Sequence, residues 1–149
     1  MITTRQFALI FGIVYVLVGI LGFVPGINQP PPAGAPPLAV GSFYALLLSL
    51  FAINLLHNLF HIVVGLIGIG VQGSETHARL YCRVLAIVFA LLTVFGLVPV
   101  LNTTFGLIPL FGLDVALHAL TALALAYFGW LAAPGTLPTS ASSRYTRGA

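Results

Sequence analysis

The sequence has 149 residues, of which 60% are hydrophobic and 5% are charged. Because soluble globular proteins carry about 25% charged residues, this composition excludes an ordinary soluble domain and is typical of an integral membrane protein. The net charge of +3 comes from five dispersed arginines, which excludes the clustered basic face of a nucleic-acid-binding protein. The single cysteine, Cys82, excludes a disulfide within the chain and a cysteine-based metal centre.

Four apolar runs predict four membrane-spanning helices, since each crossing needs about 20 largely apolar residues. We place these helices at about residues 7–24, 54–71, 80–98 and 113–131. The predicted fold class is therefore all-α, a four-transmembrane-helix bundle. Residues 1–131 form this membrane domain, and residues 132–149 form a polar tail. In the first helix Gly12 and Gly19 fall seven residues apart on one face, where another helix can approach closely.

The stretch before the second helix is too long for one crossing. Residues 43–71 would make a helix of about 43 Å, against about 30 Å of hydrocarbon. We therefore predict a short interfacial or re-entrant segment at residues 42–53, with Asn54 as the N-cap of the second helix. The equivalent stretch of the second half, residues 100–112, contains glycine and proline and is predicted to lie on the same outer side.

An internal repeat relates the two halves of the chain. Gly22–Gly26 (GFVPG) ends the first helix and resembles Gly96–Val100 (GLVPV) after the third. Each half contains two crossings, so the halves should share their orientation and form two parallel two-helix repeats about an axis along the membrane normal. The second and fourth helices can then face each other.

Polar residues are concentrated where the second and fourth helices begin. His57 and His61 stand one turn apart on one helix face, and Asp114 and His118 repeat that spacing. Asn54 and Asn58 flank the first pair. Ionisable residues at membrane depth are costly, so their presence is a hypothesis of a functional site.

Two stretches resemble a known family. Val18–Gly26 (VGILGFVPG) ends the first helix, and Leu50–His61 (LFAINLLHNLFH) opens the second, followed by Val64-Gly-Leu. They resemble the bacterial domain-of-unknown-function family four-three-eight-three, which consists of small four-helix membrane proteins. The resemblance covers most of residues 5–131 and implies the fold and residence in a bacterial membrane. It implies no activity.

The arginines predict the orientation in that membrane. All five lie on the side that holds both termini and the middle connection: Arg5, Arg79, Arg83, Arg144 and Arg147. The positive-inside rule makes this side cytoplasmic. We therefore expect a multi-pass protein of the bacterial inner (cytoplasmic) membrane with both termini in the cytoplasm.

Three functions fit the polar residues. The first is structural: Asn54, Asn58 and Asp114 hydrogen-bond the histidines between helices in an accessory subunit of a larger membrane complex. Its partners would be the lipid bilayer and other membrane subunits or further copies of the chain, without nucleic acid. An alternative is a subunit that binds a tetrapyrrole (haem or chlorophyll) through His57, His61 and His118, or a divalent metal through these histidines and Asp114. A second alternative is an oligomeric small transporter or proton relay that uses Asp114.

Sequence motifs of hydrolytic enzymes are missing. The chain has no nucleophile elbow, no phosphate-binding glycine loop and no HExxH pattern. Its only two carboxylates, Glu75 and Asp114, are predicted on opposite membrane sides. We therefore expect no enzymatic activity, and we assign no catalytic residue and no dedicated metal ligand.

Overall fold

The computed structural model describes residues 2–133, which form four α-helices and a small sheet. The helices are α1 (Thr4–Leu21), α2 (Leu55–Val71), α3 (Glu75–Leu97) and α4 (Leu113–Ala126), and α4 continues into a π-helical turn, Tyr127–Leu131. The four predicted helices are thus confirmed as elements. The predicted polar tail lies outside the described residues from position 134 onward.

Three of the described helical segments are long and apolar enough to cross a membrane. They are Thr4–Leu21, Glu75–Leu97 and Leu113–Leu131, the last including the π-helical turn. The helix α2 is equally apolar but has 17 residues. Large aliphatic side chains cover the outside of these helices, as Leu97 and Leu123 illustrate at 68% exposure each. The protein is therefore embedded in a membrane.

Polar residues begin two of the helices earlier than predicted. Ser74 caps α3, and Glu75 and Arg79 form an ion pair of 2.9 Å across its first turn. The helix therefore starts five residues before the apolar run, and His77 is an exposed residue of its first turn. In α1 the start moves to Thr4 because Thr3 forms a capping box with Gln6. Hydropathy alone marks the apolar part of a helix and misses its polar first turn.

The predicted interfacial or re-entrant segment at residues 42–53 contains a β-hairpin. Its strands are β2 (Ala45–Leu47) and β3 (Phe51–Ile53), and β1 (Asn28–Gln29) pairs antiparallel with β2. Ala45 lies opposite Ile53, and Asn28 lies opposite Leu47. The chain reverses at Leu48 and Ser49, whose φ angles of 54° and 63° are left-handed. A small three-stranded sheet is thus added to the predicted helices.

The helix α1 packs along α2, and α3 packs along α4. The predicted close approach at the glycines of α1 is confirmed, because a Cβ on Gly12 would lie 2.6 Å from the carbonyl oxygen of Gly65. A Cβ on Gly19 would lie 2.7 Å from the carbonyl oxygen of Asn58. Buried side chains from all four helices meet at the centre, among them Phe11, Val64, Cys82, Phe89 and Leu125. Cys82 is a packing residue of this core.

Three arginines bind main-chain oxygens at one end of the helices. Arg5 donates to the carbonyl of Gln72 just after α2, at 2.7 Å. Arg83 donates to the carbonyl of Gly129 in the π-helical turn, at 2.8 Å, and Arg79 donates to that of Ala132. Carbonyls at helix ends lack intrahelical donors, so these guanidinium groups satisfy them and hold this end of the structure together.

The two loops that the sequence predicts on the outer side, here called the outer loops, contact each other at the opposite end of the helices. The N–H groups of Ala39 and Val40 both donate to the carbonyl of Gly106, at 2.8 and 3.2 Å. Phe51 forms an isolated antiparallel bridge with Gly112. The small sheet and the second outer loop therefore form one layer over the beginnings of α2 and α4.

Candidate functional site

The first turns of α2 and α4 carry the site residues. Asn54 fixes the start of α2, since its side-chain oxygen accepts from the N–H of His57 at 3.0 Å. The helix α4 starts after Gly112, whose φ of 68° lets the chain turn into the helix. The rings of His57 and His118 then lie with their centroids 5.8 Å apart. The predicted meeting of histidines from α2 and α4 is confirmed.

A compact cluster is formed by His57, Asp114 and His118. One ligand atom from each of the three side chains lies within 4.8 Å of the others. All three residues are buried, with 2%, 2% and 3% exposure. The sequence suggested that His57, His61, His118 and Asp114 could together bind a divalent metal. The structure brings the carboxylate of Asp114 together with two of the three histidines, and His61 stays outside the cluster.

Backbone carbonyls hold both clustered histidines in one orientation. Nδ1 of His57 lies 3.0 Å from the carbonyl oxygen of Ala52, and Nδ1 of His118 lies 2.8 Å from that of Asp114. A carbonyl oxygen only accepts, so Nδ1 is the nitrogen that carries the proton in each ring. Nε2 of each ring keeps a free lone pair. Histidines that bind metals show the same arrangement, in which the second ring nitrogen donates to a carbonyl or carboxylate.

The carboxylate of Asp114 is poorly satisfied. Its Oδ2 lies 3.5 Å from Nδ1 of His118, which already donates to the backbone. Oδ2 is buried and has no hydrogen-bond partner among residues 2–133. Buried polar atoms normally have a partner, and an isolated carboxylate at membrane depth is costly. A cation beside Asp114 would remove that cost.

His61 lies next to the cluster without belonging to it. Its ring centroid is 4.4 Å from that of His57 and 5.0 Å from that of Tyr15. Its Nδ1 is buried and has no hydrogen-bond partner among the described residues. His61 faces a groove between α1 and α4 that has a volume of about 380 Å³ and also reaches Asp114 and His118.

The two asparagines of the predicted polar cluster lie elsewhere. Asn54 donates to the carbonyls of Val40 and Leu107, at 2.9 and 2.6 Å, and thus joins the two outer loops. Asn58 packs directly against Gly22, the residue that follows α1, where any added Cβ would overlap the amide. Within the described part of the chain its amide has no hydrogen-bond partner. Neither asparagine hydrogen-bonds a histidine side chain there.

Two residues that the sequence analysis did not select border the groove. Tyr15 of α1 and Thr121 of α4 line it, and their hydroxyl oxygens lie 3.4 Å apart across the two helices. Each is a hydroxyl side chain within an otherwise apolar run. That pattern predicts a position facing a neighbouring helix, because hydroxyl groups at membrane depth form hydrogen bonds across helices.

Comparison with known proteins places the chain in a family. The sequence profile described as "Domain of unknown function (DUF4383)" matches residues 5–131. The chain belongs to this family. The DUF4383 region includes the four helices and every residue of the site, and the resemblance seen in the sequence is confirmed. No curated protein and no solved structure matches the chain.

Proposed function

We propose that this DUF4383 protein is an integral membrane protein that binds one divalent transition-metal ion through His57, Asp114 and His118. One observation carries the proposal: two imidazoles and a carboxylate from two helices converge within 4.8 Å in a buried site. Nitrogen and oxygen donors in this combination suit zinc, and they also suit iron and manganese. Zinc is the reference ion in the experiments below.

The spacing of the cluster suits a single ion. In a tetrahedral site with zinc–nitrogen distances near 2.0 Å, the donor atoms lie about 3.3 Å apart. The three side chains already place one ligand atom each within 4.8 Å of the others, about 1.5 Å more than that spacing. Three protein ligands leave a fourth position open for water or another small ligand, as in catalytic zinc sites.

A tetrapyrrole fits the same residues less well. Axial ligation by His57 and His118 would need the broad plane of the macrocycle between their rings. The ring of Phe89 stacks on His118 with a centroid distance of 5.3 Å, and His57 lies 5.8 Å from His118. Because aromatic packing fills this region, we prefer a metal ion to haem or chlorophyll.

The test is a metal titration of detergent-purified protein after treatment with a chelator. We expect about one equivalent of Zn²⁺ to bind per chain, and Co²⁺ to give the visible d–d absorption of a low-coordinate site. Asp114→Asn keeps the side-chain shape and removes the charge, so metal affinity should fall at least tenfold. His77→Ala is the matched control because His77 is an exposed histidine outside the cluster.

Wild-type protein that binds no more metal than Asp114→Asn would contradict the metal proposal. The histidines would then serve the structural role of an accessory subunit, the second candidate. Its support is that the cluster already holds two ordered imidazoles, each bonded to a backbone carbonyl. In that case His118→Ala would lower thermal stability equally with and without added Zn²⁺. The transporter or proton-relay alternative stays a prediction.

We also propose a topology of four crossings with both termini in the cytoplasm of a bacterial cell, in its inner membrane. The support is the location of Arg5, Arg79 and Arg83 at one end of the helices, together with the positive-inside rule. In this topology α2 spans about 25 Å of the bilayer. The pairing of α1 with α2 and of α3 with α4 supports two parallel repeats in one bundle.

A further inference from the structure

A groove runs along the outside of the protein between α1 and α4. Its wall on α1 extends from Phe7 to Val18, and its wall on α4 extends from Asp114 to Ala124. These stretches of twelve and eleven residues span about 15 to 17 Å, so the groove is elongated along the helix axes. Leu120, at 65% exposure, stands at its edge on the outer surface. The groove therefore opens sideways, toward the hydrocarbon of the membrane.

The two ends of the groove differ in chemistry. His61, Asp114 and His118 form its polar end, which lies toward the outer loops. Phe7 and Ala124 form its apolar end, which lies toward the arginines. A molecule that fills the groove should therefore combine one hydrogen-bonding head with a hydrocarbon tail, because a wholly apolar molecule would leave the polar end unsatisfied.

The charges around the groove favour a neutral head. The described residues that line it include no arginine or lysine, and Asp114 is among them. A phosphate or carboxylate head would lack a cationic partner and would lie near a carboxylate. The buried Nδ1 of His61 has no partner among residues 2–133, and a neutral imidazole can donate one N–H to a carbonyl oxygen.

Aromatic rings on α1 favour a flat head. Phe11 and Tyr15 stack with ring centroids 4.0 Å apart, and Tyr15 meets the ring of His61 edge-on. These rings line the groove beside its polar end. A planar ring can stack on such a wall or meet it edge to face, which bulky saturated heads cannot do.

We propose that the groove binds an isoprenoid quinone from the lipid phase. The quinone ring lies at the polar end, where one carbonyl oxygen accepts from His61, and the isoprenoid tail runs along α1 toward Phe7. The proposal concerns binding alone and does not require the metal ion.

The experiment uses a photoreactive azido analogue of decylubiquinone with full-length, chelator-treated protein in phosphatidylcholine vesicles. Illumination should label peptides of α1 and α4, and excess decylubiquinone should suppress the labelling. Leu120→Trp should lose most of the labelling because the indole would fill the mouth of the groove. Leu123→Trp is the matched control, since Leu123 is a 68% exposed leucine of the same helix outside the groove.

Equal labelling of the Leu120→Trp and Leu123→Trp variants would overturn the proposal. Suppression by palmitate but not by decylubiquinone would also overturn it, because the groove would then select an anionic head. His61→Phe keeps an aromatic ring and should weaken competition by decylubiquinone. Chelator treatment keeps this outcome independent of metal binding, so either proposal can fail without the other.

Discussion

Gly12 of α1 and Gly65 of α2 lie so close that neither position has room for a side chain. A Cβ on Gly12 would lie 2.6 Å from the carbonyl oxygen of Gly65, and a Cβ on Gly65 would lie 2.5 Å from the carbonyl oxygen of Gly12. The separation of the two helices is therefore set by two missing side chains. Close backbone packing of this kind drives helix association where water supplies no hydrophobic force.

Gly65→Ala should destabilise the protein. The added methyl group meets main-chain atoms of α1, which cannot rotate away, so the helices must separate. Overpacking of this kind costs about 1–3 kcal/mol. The free energy of unfolding is measured by titrating detergent-purified protein with sodium dodecyl sulfate.

The matched control is Gly70→Ala, in the same helix. A Cβ on Gly70 would meet nothing within 4 Å, so the change should leave stability unaltered or raise it by up to about 1 kcal/mol through helix propensity. If both variants lost stability equally, the close contact between α1 and α2 would not control their association.

His118→Ala and His61→Ala should differ in metal binding. His118 belongs to the cluster with His57 and Asp114, whereas His61 lies outside it. We expect His118→Ala to abolish stoichiometric Zn²⁺ binding and His61→Ala to keep affinity within a few-fold of the wild type. Metal content after dialysis measures both. Loss of Zn²⁺ binding in both variants would mean that His61 is also a ligand, as the sequence suggested.

Asn54→Ala should destabilise the outer layer and the start of α2 together. The side chain accepts from the N–H of His57 and donates to the carbonyls of Val40 and Leu107. Loss of a helix cap costs about 1 kcal/mol, and the two carbonyls lose their donor as well. We expect a total loss of about 2–3 kcal/mol, measured by thermal unfolding in detergent.

Asn54→Ser separates the two contributions. Serine can still cap α2 but cannot reach both carbonyls, so an intermediate stability is expected. Asn102→Ala serves as the control, because no side-chain hydrogen bond of Asn102 occurs in the described structure. A serine variant as stable as the wild type would show that the links to the loops contribute nothing.

The orientation in the membrane is tested by cysteine labelling in a Cys82→Ser background. Gly73→Cys lies at the end that holds the arginines, and Val100→Cys, at a site of 83% exposure, lies at the opposite end. In intact cells a membrane-impermeant maleimide should label position 100 alone, and position 73 should react only after lysis. Labelling of position 73 in intact cells would invert the proposed topology.

The sequence predicted the helices because long apolar runs mark them. It predicted the approach of α2 to α4 from the internal repeat, and the spacing of polar residues at every fourth position placed them on one face of each helix. The choice of Asp114 over His61 as a cluster member depends on how far each helix is rotated, and packing against neighbours sets that rotation. The hairpin at residues 45–53 was hidden because its apolar residues do not alternate with polar ones.

The outer layer is built from both halves of the chain. Asn54, in the first half, bonds to Leu107, and Ala39 and Val40 bond to Gly106. During synthesis from the amino terminus, α1, the sheet and α2 leave the ribosome before these acceptors exist. Until residue 107 is synthesised, the N–H groups of Ala39, Val40 and the Asn54 side chain must bond to water or to the insertion machinery. Final folding of the loop before α2 therefore depends on synthesis of the loop before α4.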